Sequence, residues 1–227
     1  MDYLTNILRI KVVSNALEEL KQDVVFVGGA TVSLYSDRKS IEFRPTNDVD
    51  ILIELATHKE YAIVEEKLRK KGFENDIESR ITCRFRLNGF IVDVMPTDKK
   101  VLGFSNKWYE EGFKNAVNYI IDSENNINIF SSPYFIATKL EAFKNRGNND
   151  GRMSSDFEDI VFVFENRFTI WEELESAPKS VKKYLKSEFS NLLQNHLFEE
   201  WVDAHAGTGS PPATYYILEN IENFVKG

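Results

Sequence analysis

Apolar and polar residues alternate along the first 75 positions with two different periods, one helical and one extended. Residues 3–20 carry apolar side chains at helical spacing, whereas residues 48–54 alternate with a period of two before becoming fully apolar. The pair Gly28-Gly29 directly follows an apolar run and predicts a tight turn between a strand and a helix. The predicted elements are helix 3–20, strand Val24–Val27, helix Ala30–Tyr35, strand Asp48–Glu54 and helix His58–Lys71, ended by Gly72.

Two hairpins are predicted downstream of these elements. Asn88-Gly89 lies between Ser79–Leu87 and Phe90–Thr97, and Asn-Gly between alternating runs is the strongest short hairpin signal. A two-residue turn there pairs Leu87 with Phe90, Arg86 with Ile91, Phe85 with Val92, and Arg84 with Asp93. A second hairpin is predicted for 116–121 and 127–130, turning at 124–126.

From Pro133 onward the pattern becomes helical. The predicted helices are 133–146, 154–165, 169–175, 179–194, 196–205 and 213–225. The sequence therefore predicts an α+β fold: a mixed sheet flanked by helices, followed by an all-helical part. We place the boundary between 1–130 and 131–227.

Composition restricts the classes of function. The chain has 227 residues and a net charge of −8, from 36 acidic residues against 28 Lys and Arg, which argues against a protein that coats nucleic acid through a broad basic surface. The single Cys83 excludes an internal disulfide framework, and the three histidines have no metal-ligand spacing. No basic leader or long apolar run is present, so we expect a soluble, cytoplasmic protein without a membrane span.

Aspartates on the predicted strands are the candidate metal-binding residues. Asp48 and Asp50 share one strand face, about 6–7 Å apart, and such a pair suits a hard divalent cation; a solvated strand edge is the alternative. Asp93 shares its hairpin face with Arg84 and Arg86, either as a third metal ligand with arginines for phosphate oxygens or as a cross-strand ion pair.

Gly28-Gly29 adds a third element. Two glycines at the start of a helix allow backbone N–H groups to approach a phosphate, although an ordinary tight turn explains them equally well in isolation. Together with three carboxylates, the pair forms the elements of a phosphoryl-transfer site.

These residues resemble the nucleotidyltransferase (polymerase-β-like) superfamily. The matching segments are Val27-Gly28-Gly29-Ala30, Asp48-Val49-Asp50-Ile51 and Val92-Asp93-Val94. Ser132–Phe143, Arg146 and Ser155–Ile160 are similar to the AbiEii/AbiGii-type nucleotidyltransferase toxins, so that the resemblance covers about residues 20–165. Eighteen residues separate Gly29 from Asp48, more than is usual in the superfamily, and we expect residues 37–46 to form a loop over the site.

The resemblance implies a catalytic domain at 1–130 and a helical domain at 131–227 that completes the nucleotide site. Asp48, Asp50 and Asp93 would hold two Mg²⁺ ions, with Mn²⁺ as a substitute. Asp93 would also assist deprotonation of the acceptor. Gly28, Gly29, Lys139, Arg84, and Asp156 or Asp159 would bind the NTP; the alternative for Lys139 and the two aspartates is a salt bridge between adjacent helices.

The acceptor follows from the resemblance only in part. The toxin family implies an RNA acceptor, with the 3′ end of tRNA as one candidate, and a separate antitoxin protein. A small-molecule nucleotidyltransferase of the aminoglycoside-modifying kind and a catalytically idle nucleotide-binding module are the alternatives. Residues 187–227 hold six acidic residues and one lysine, so most of the negative charge lies outside the predicted catalytic part and does not exclude RNA.

Overall fold

The computed structural model describes residues 2–38, 44–148, 150–207 and 213–227. They form two compact units. The first holds the described residues up to Ser33 and from 44 to Ser131, and the second holds Leu34 to residue 38 and the described residues from Ser132 onward.

The first unit is built around a mixed sheet. Its strands are β1 (Val24–Val27), β2 (Asp48–Ile53), β3 (Glu74–Asn75), β4 (Arg84–Leu87), β5 (Phe90–Pro96), β6 (Ala116–Ile120) and β7 (Asn126–Phe130). Its helices are α1 (Asp2–Leu17), α2 (His58–Lys70), α3 (Lys99–Leu102) and α4 (Tyr109–Lys114). Within the described residues the sheet has seven strands in the order β3-β4-β5-β2-β1-β7-β6.

β2, which carries Asp48 and Asp50, pairs with a strand on each side. β2 runs antiparallel to β1 and parallel to β5, while β4 and β5 form the predicted antiparallel hairpin. The hairpin register is confirmed at all four pairs, including Arg84 opposite Asp93. Because a two-residue turn fixes which residues face each other, the sequence alone was sufficient here.

Burial follows the strand period. Val49 and Ile51 on β2 are fully buried, whereas Asp48 and Asp50 are partly exposed on the opposite face. On the far side of β5, the buried Tyr61 of α2 donates a hydrogen bond to the Val94 carbonyl, 3.0 Å away, and fixes this helix to the strand.

The second unit contains only helices as regular elements among its described residues. They are α5 (Ser132–Arg146), α6 (Ser155–Asn166), α7 (Ile170–Ser176), α8 (Lys179–Leu193), α9 (Phe198–Asp203) and α10 (Ala213–Lys226). Aromatic rings fill its core: Trp201 packs edge-on against Phe143 and Phe157, with centroids 5.8 and 5.9 Å away. The prediction of an α+β fold with a helical C-terminal part is confirmed.

Several local predictions need correction. The predicted strand from Ser79 is wrong over its first half, because Ile77–Ser79 forms a 3₁₀ turn and Arg80 is left-handed with φ +57°. The helix predicted at Ala30–Tyr35 is a 3₁₀ helix from Gly29 to Tyr35. β3, α3 and α4 were not predicted, since elements of two to six residues are too short to show a period.

Candidate active site

Three aspartates converge on one face of the sheet. Asp48 and Asp50 come from β2, and the parallel pairing with β5 places Asp93 directly opposite Asp50. One oxygen from each carboxylate lies within 4.8 Å of the other two. The predicted grouping of these three residues is therefore present in the fold, and it depends on a pairing between segments more than 40 positions apart.

Arg84 binds the third carboxylate from the neighbouring strand. Its Nε and Nη2 donate to Oδ1 and Oδ2 of Asp93 at 2.8 and 2.7 Å, a two-point ion pair. This hydrogen bonding raises the pKa of Arg84, and the nearby charges of Asp93 and Asp48 act in the same direction. The cross-strand ion pair and the carboxylate cluster are thus both present, and Asp93 is a member of both.

Gly28 closes the other side of the cluster. It follows Val27, which pairs with Asp50 across β1 and β2, and its φ is +74°. A Cβ atom at this position would lie 2.0 Å from Oδ2 of Asp50, closer than two such atoms can approach. The absence of a side chain at Gly28 is therefore required by the Asp50 carboxylate, and it leaves the backbone of the turn next to the cluster.

The segment that leads into β2 packs closely against Gly29. A Cβ atom there would lie 2.7 Å from the methyl carbon of Thr46. The fully buried Asn6 side chain accepts hydrogen bonds from the Thr46 backbone N–H and hydroxyl at 3.2 and 3.3 Å. Asn6 and Thr46 therefore position the approach to Asp48. Sequence reasoning missed both residues; a polar Asn inside the apolar stripe of α1 was the available signal.

The cluster is chemically suited to a divalent metal ion. Three carboxylates offer hard oxygen donors, the ligand type that Mg²⁺ and Mn²⁺ take. Arg84 supplies a positive charge beside Asp93, and a bound cation would add further positive charge next to the three carboxylates. Asp48, Asp50 and Asp93 can therefore hold such an ion.

The other predicted site residues form a second cluster, within the helical unit. The ammonium of Lys139 on α5 lies 3.1 Å from Oδ1 of Asp156 and 2.5 Å from Oδ2 of Asp159, both on α6. Arg146 adds a two-point contact to Asp156, at 2.7 and 2.8 Å. Lys139 is 6% exposed and Asp159 is fully buried, so that the bridge between helices that the sequence offered as an alternative is present.

Electrostatics keep this second cluster charged. Burial alone would lower the pKa of Lys139, but the charges of Asp159 and Asp156 outweigh it and the pKa is raised. Burial would likewise raise the pKa of Asp156, but its hydrogen bond from Arg146 and the charge of Lys139 lower it. Both groups thus remain ionised near neutral pH in the folded chain.

Two further features are Cys83 and the loop expected at 37–46. Cys83 is buried, and burial raises the pKa of its thiol to about 11. Of the loop expected over the site at 37–46, residues 39–43 lie outside the described residues, and Asp37 belongs to the helical unit, where its backbone N–H donates to the Asn166 carbonyl.

Comparison with known proteins adds no assignment. No family model matches the chain, and no significant match is found among curated proteins. Among the described residues, none of the helices combines the length and apolar character that crossing a lipid bilayer requires.

Proposed function

We propose that this chain is a metal-dependent nucleotidyltransferase that moves a nucleoside monophosphate from an NTP to an acceptor hydroxyl. The observation that carries the proposal is the carboxylate cluster together with its glycine neighbour: three aspartate oxygens within 4.8 Å, and a Gly28 whose missing side chain leaves room for Asp50.

In this proposal the carboxylates hold the metal and position the phosphates. Asp48, Asp50 and Asp93 would hold two Mg²⁺ ions, which when bound neutralise charge developing on the phosphoryl oxygens. The backbone N–H groups of Gly28 and Gly29 are the proposed ligands of the β- and γ-phosphates, since this turn lies next to the Asp50 carboxylate. Arg84 orients Asp93 and adds a positive charge beside the cluster.

The proposed reaction forms one bond to phosphorus, breaks another and transfers one proton. The acceptor oxygen forms a bond to the α-phosphorus while the bond from that phosphorus to the bridging oxygen breaks, and pyrophosphate leaves. The acceptor hydroxyl gives up its proton, and the carboxylate of Asp93 is the proposed group that takes it.

The nucleotide-binding roles proposed for Lys139, Asp156 and Asp159 depend on whether the salt bridges between them open. Lys139 would neutralise phosphate charge, and Asp156 or Asp159 would contribute to the nucleotide site. Because the Lys139 ammonium contacts both carboxylates and is nearly buried, direct phosphate contact would require these salt bridges to open. If the salt bridges stay closed, Lys139 instead holds α5 against α6.

The acceptor in the proposal is RNA, with the 3′ end of tRNA as one candidate, and a separate antitoxin protein is the proposed regulator. The proposal rests here on the resemblance of residues 132–160 to the AbiEii/AbiGii-type toxins. A cytoplasmic location follows from an RNA acceptor and is part of the same proposal.

The test is incubation of the purified chain with each α-³²P-labelled NTP, Mg²⁺ and total RNA, with labelled RNA as the readout. Asp48→Asn is expected to reduce transfer at least about 100-fold, because it removes a ligand charge from the cluster. Asp23→Asn is the matched control: this aspartate is exposed and lies outside the cluster, so we expect unchanged transfer. Full activity of Asp48→Asn would refute the mechanism.

A further inference from the structure

A cavity of about 270 Å³ lies beside the carboxylate cluster and has no role in the proposal so far. It opens between α2, β3 and the loop that precedes β4. Its lining includes Glu65, Asn75, Ile77, Arg80, Ile81 and Arg84. Arg84 belongs to both features, since it lines the cavity and holds Asp93 with two hydrogen bonds. The cavity is therefore separated from the third aspartate by a single side chain.

The sheet order places this cavity opposite the glycine turn. The sequence of neighbours β4-β5-β2-β1 sets Arg84 at one end of the carboxylate row and Gly28, which follows β1, at the other. In the proposed reaction the triphosphate lies against the Gly28 backbone, so that it occupies the β1 side. The attacking hydroxyl must approach from a different direction than the leaving pyrophosphate, and the cavity lies on that other side.

The lining combines apolar and polar groups as a nucleotide requires. Ile77 and Ile81 are 86% and 39% exposed, which is high for large apolar side chains with no partner to cover them. Asn75 donates a hydrogen bond to Oε1 of Glu65 at 3.1 Å, so that an amide and a carboxylate stand together at one wall. Unpaired bases stack on aromatic rings or on Arg guanidinium planes and hydrogen-bond through their edges; this lining offers arginine side chains, apolar contact from the two isoleucines, and an amide and a carboxylate for a base edge.

The rim presents the cation Arg80, while the Glu65 carboxylate adds a negative charge on the α2 side of the cavity. Asp76, which also lines the cavity, is paired with Arg86 at 3.2 Å, and Arg84 is paired with Asp93. Among the described residues Arg80 has no ion-pair or hydrogen-bond partner, and its side chain is exposed. A phosphate would supply the missing counter-charge.

The rim is held in place before any ligand binds. The backbone N–H of Arg84 donates to the Ile81 carbonyl at 3.0 Å, and the N–H of Asp76 donates to the Arg84 carbonyl at 2.9 Å. The Ser79 hydroxyl donates to the Asp76 carbonyl and its oxygen accepts from the Ile81 N–H, so that Arg80 is fixed at the tip with φ +57°. A preformed rim lowers the entropic cost of binding.

We infer that this cavity binds the terminal nucleotide of a single-stranded RNA acceptor, with its base against Ile77 and Ile81 and its phosphate at Arg80. The inference rests on the proposed function and adds the place and form of its acceptor. The cavity of about 270 Å³ lies just below the roughly 300–1,000 Å³ of pockets that enclose drug-sized ligands, so that one nucleotide would be only partly enclosed.

Binding can be measured without catalysis. The probe is a 5′-fluorescein-labelled single-stranded RNA of 12 nucleotides, titrated with the full chain in Mg²⁺ without NTP, and read by fluorescence anisotropy. The variant Ile77→Asp/Arg80→Glu is expected to weaken RNA binding at least about tenfold, because it removes apolar contact and reverses the rim charge. Both side chains are exposed, so the fold should be retained; thermal unfolding checks this.

The matched control is Ile63→Asp/Lys67→Glu. It makes the same chemical changes on exposed positions of α2 that do not line the cavity, and RNA binding should change less than about twofold. Equal weakening in both variants would overturn the inference, because only overall charge would then matter. Unchanged binding in the cavity variant would overturn it as well.

A parallel titration with Mg²⁺-ATP and the other three NTPs separates the two proposals. NTP binding unaffected by Ile77→Asp/Arg80→Glu, with weakened RNA binding and a raised KM for RNA, supports the acceptor site. If the wild-type chain binds NTP but not RNA, the acceptor inference fails and the transferase proposal stands. If it binds no NTP, the proposed function itself fails. If kanamycin binds the wild-type chain more tightly than the RNA does, the acceptor is a polycation and the inference is overturned.

Discussion

The conformation of Gly28 is directly connected to the position of the Asp50 carboxylate. The substitution Gly28→Ala adds one carbon atom at a position with φ +74°, where that carbon would lie 2.0 Å from Oδ2 of Asp50. Two separate costs follow. A left-handed conformation costs an L-residue roughly 1–2 kcal/mol. The carboxylate must also move by roughly 1 Å or more to reach an ordinary contact distance, which forces its side chain from its rotamer at a further 0.5–1.5 kcal/mol or so.

A second glycine separates these two costs. Gly72, which follows α2, has φ +90°, and a Cβ atom there would meet nothing within 4 Å. Gly72→Ala should therefore lower the free energy of unfolding by about 1–2 kcal/mol, from backbone strain alone. Gly28→Ala should lower it by about 1.5–3.5 kcal/mol, the sum of strain and displacement.

Urea unfolding followed by circular dichroism gives the two free energies, and calorimetric titration with Mg²⁺ gives the metal affinity. We expect Gly28→Ala to weaken metal binding at least about tenfold, because Asp50 is displaced, and Gly72→Ala to leave it unchanged. Equal destabilisation by the two variants, with equal metal affinity, would refute the claim that Asp50 requires a glycine at position 28.

Two further predictions concern buried groups. Lys139→Met should lower the free energy of unfolding by about 3–5 kcal/mol, because the fully buried Asp159 loses its cation. Lys144→Met, which removes partly exposed ion pairs, should cost at most about 1 kcal/mol by the same urea assay; similar costs for both would contradict a structural role for Lys139. Cys83 should react with a thiol reagent at pH 8 only in denaturant, because burial raises the pKa of its thiol to about 11. Rapid modification of the native protein would show that the thiol is accessible.

Local sequence rules predicted the hairpin well and the carboxylate cluster in part. The period of two and the Asn88-Gly89 turn fixed the pairing of Arg84 with Asp93. The same rules placed Asp48 and Asp50 on one face. They contained no information on the parallel pairing of β2 with β5, which sets Asp93 opposite Asp50, because that contact joins distant segments.

Other features depend on tertiary contacts that no local pattern records. The collision that excludes a side chain at Gly28 involves Asp50, 22 positions away, and the anchoring of Thr46 involves Asn6, 40 positions away. Arg80 is left-handed although it is neither glycine nor asparagine, so its residue type did not indicate this conformation. The alternating pattern predicted a strand from Ser79, but the strand begins at Arg84. The sequence offered the salt bridge of Lys139 as an alternative to nucleotide binding, but it gave no indication that this lysine is almost completely buried.

The parallel pairing of β2 with β5 also bears on when the chain acquires its chemistry. An antiparallel partner can follow after a short turn, but here the two strands are joined by α2, β3 and β4, so that closing this contact costs more chain entropy than closing a hairpin. Before that pairing, Asp48 and Asp50 have no third carboxylate beside them. A nascent or partly unfolded chain therefore lacks an assembled cluster, and any activity that depends on the cluster is confined to molecules that have completed folding of the sheet. A divalent ion that binds only the assembled cluster would in turn stabilise the folded sheet by mass action.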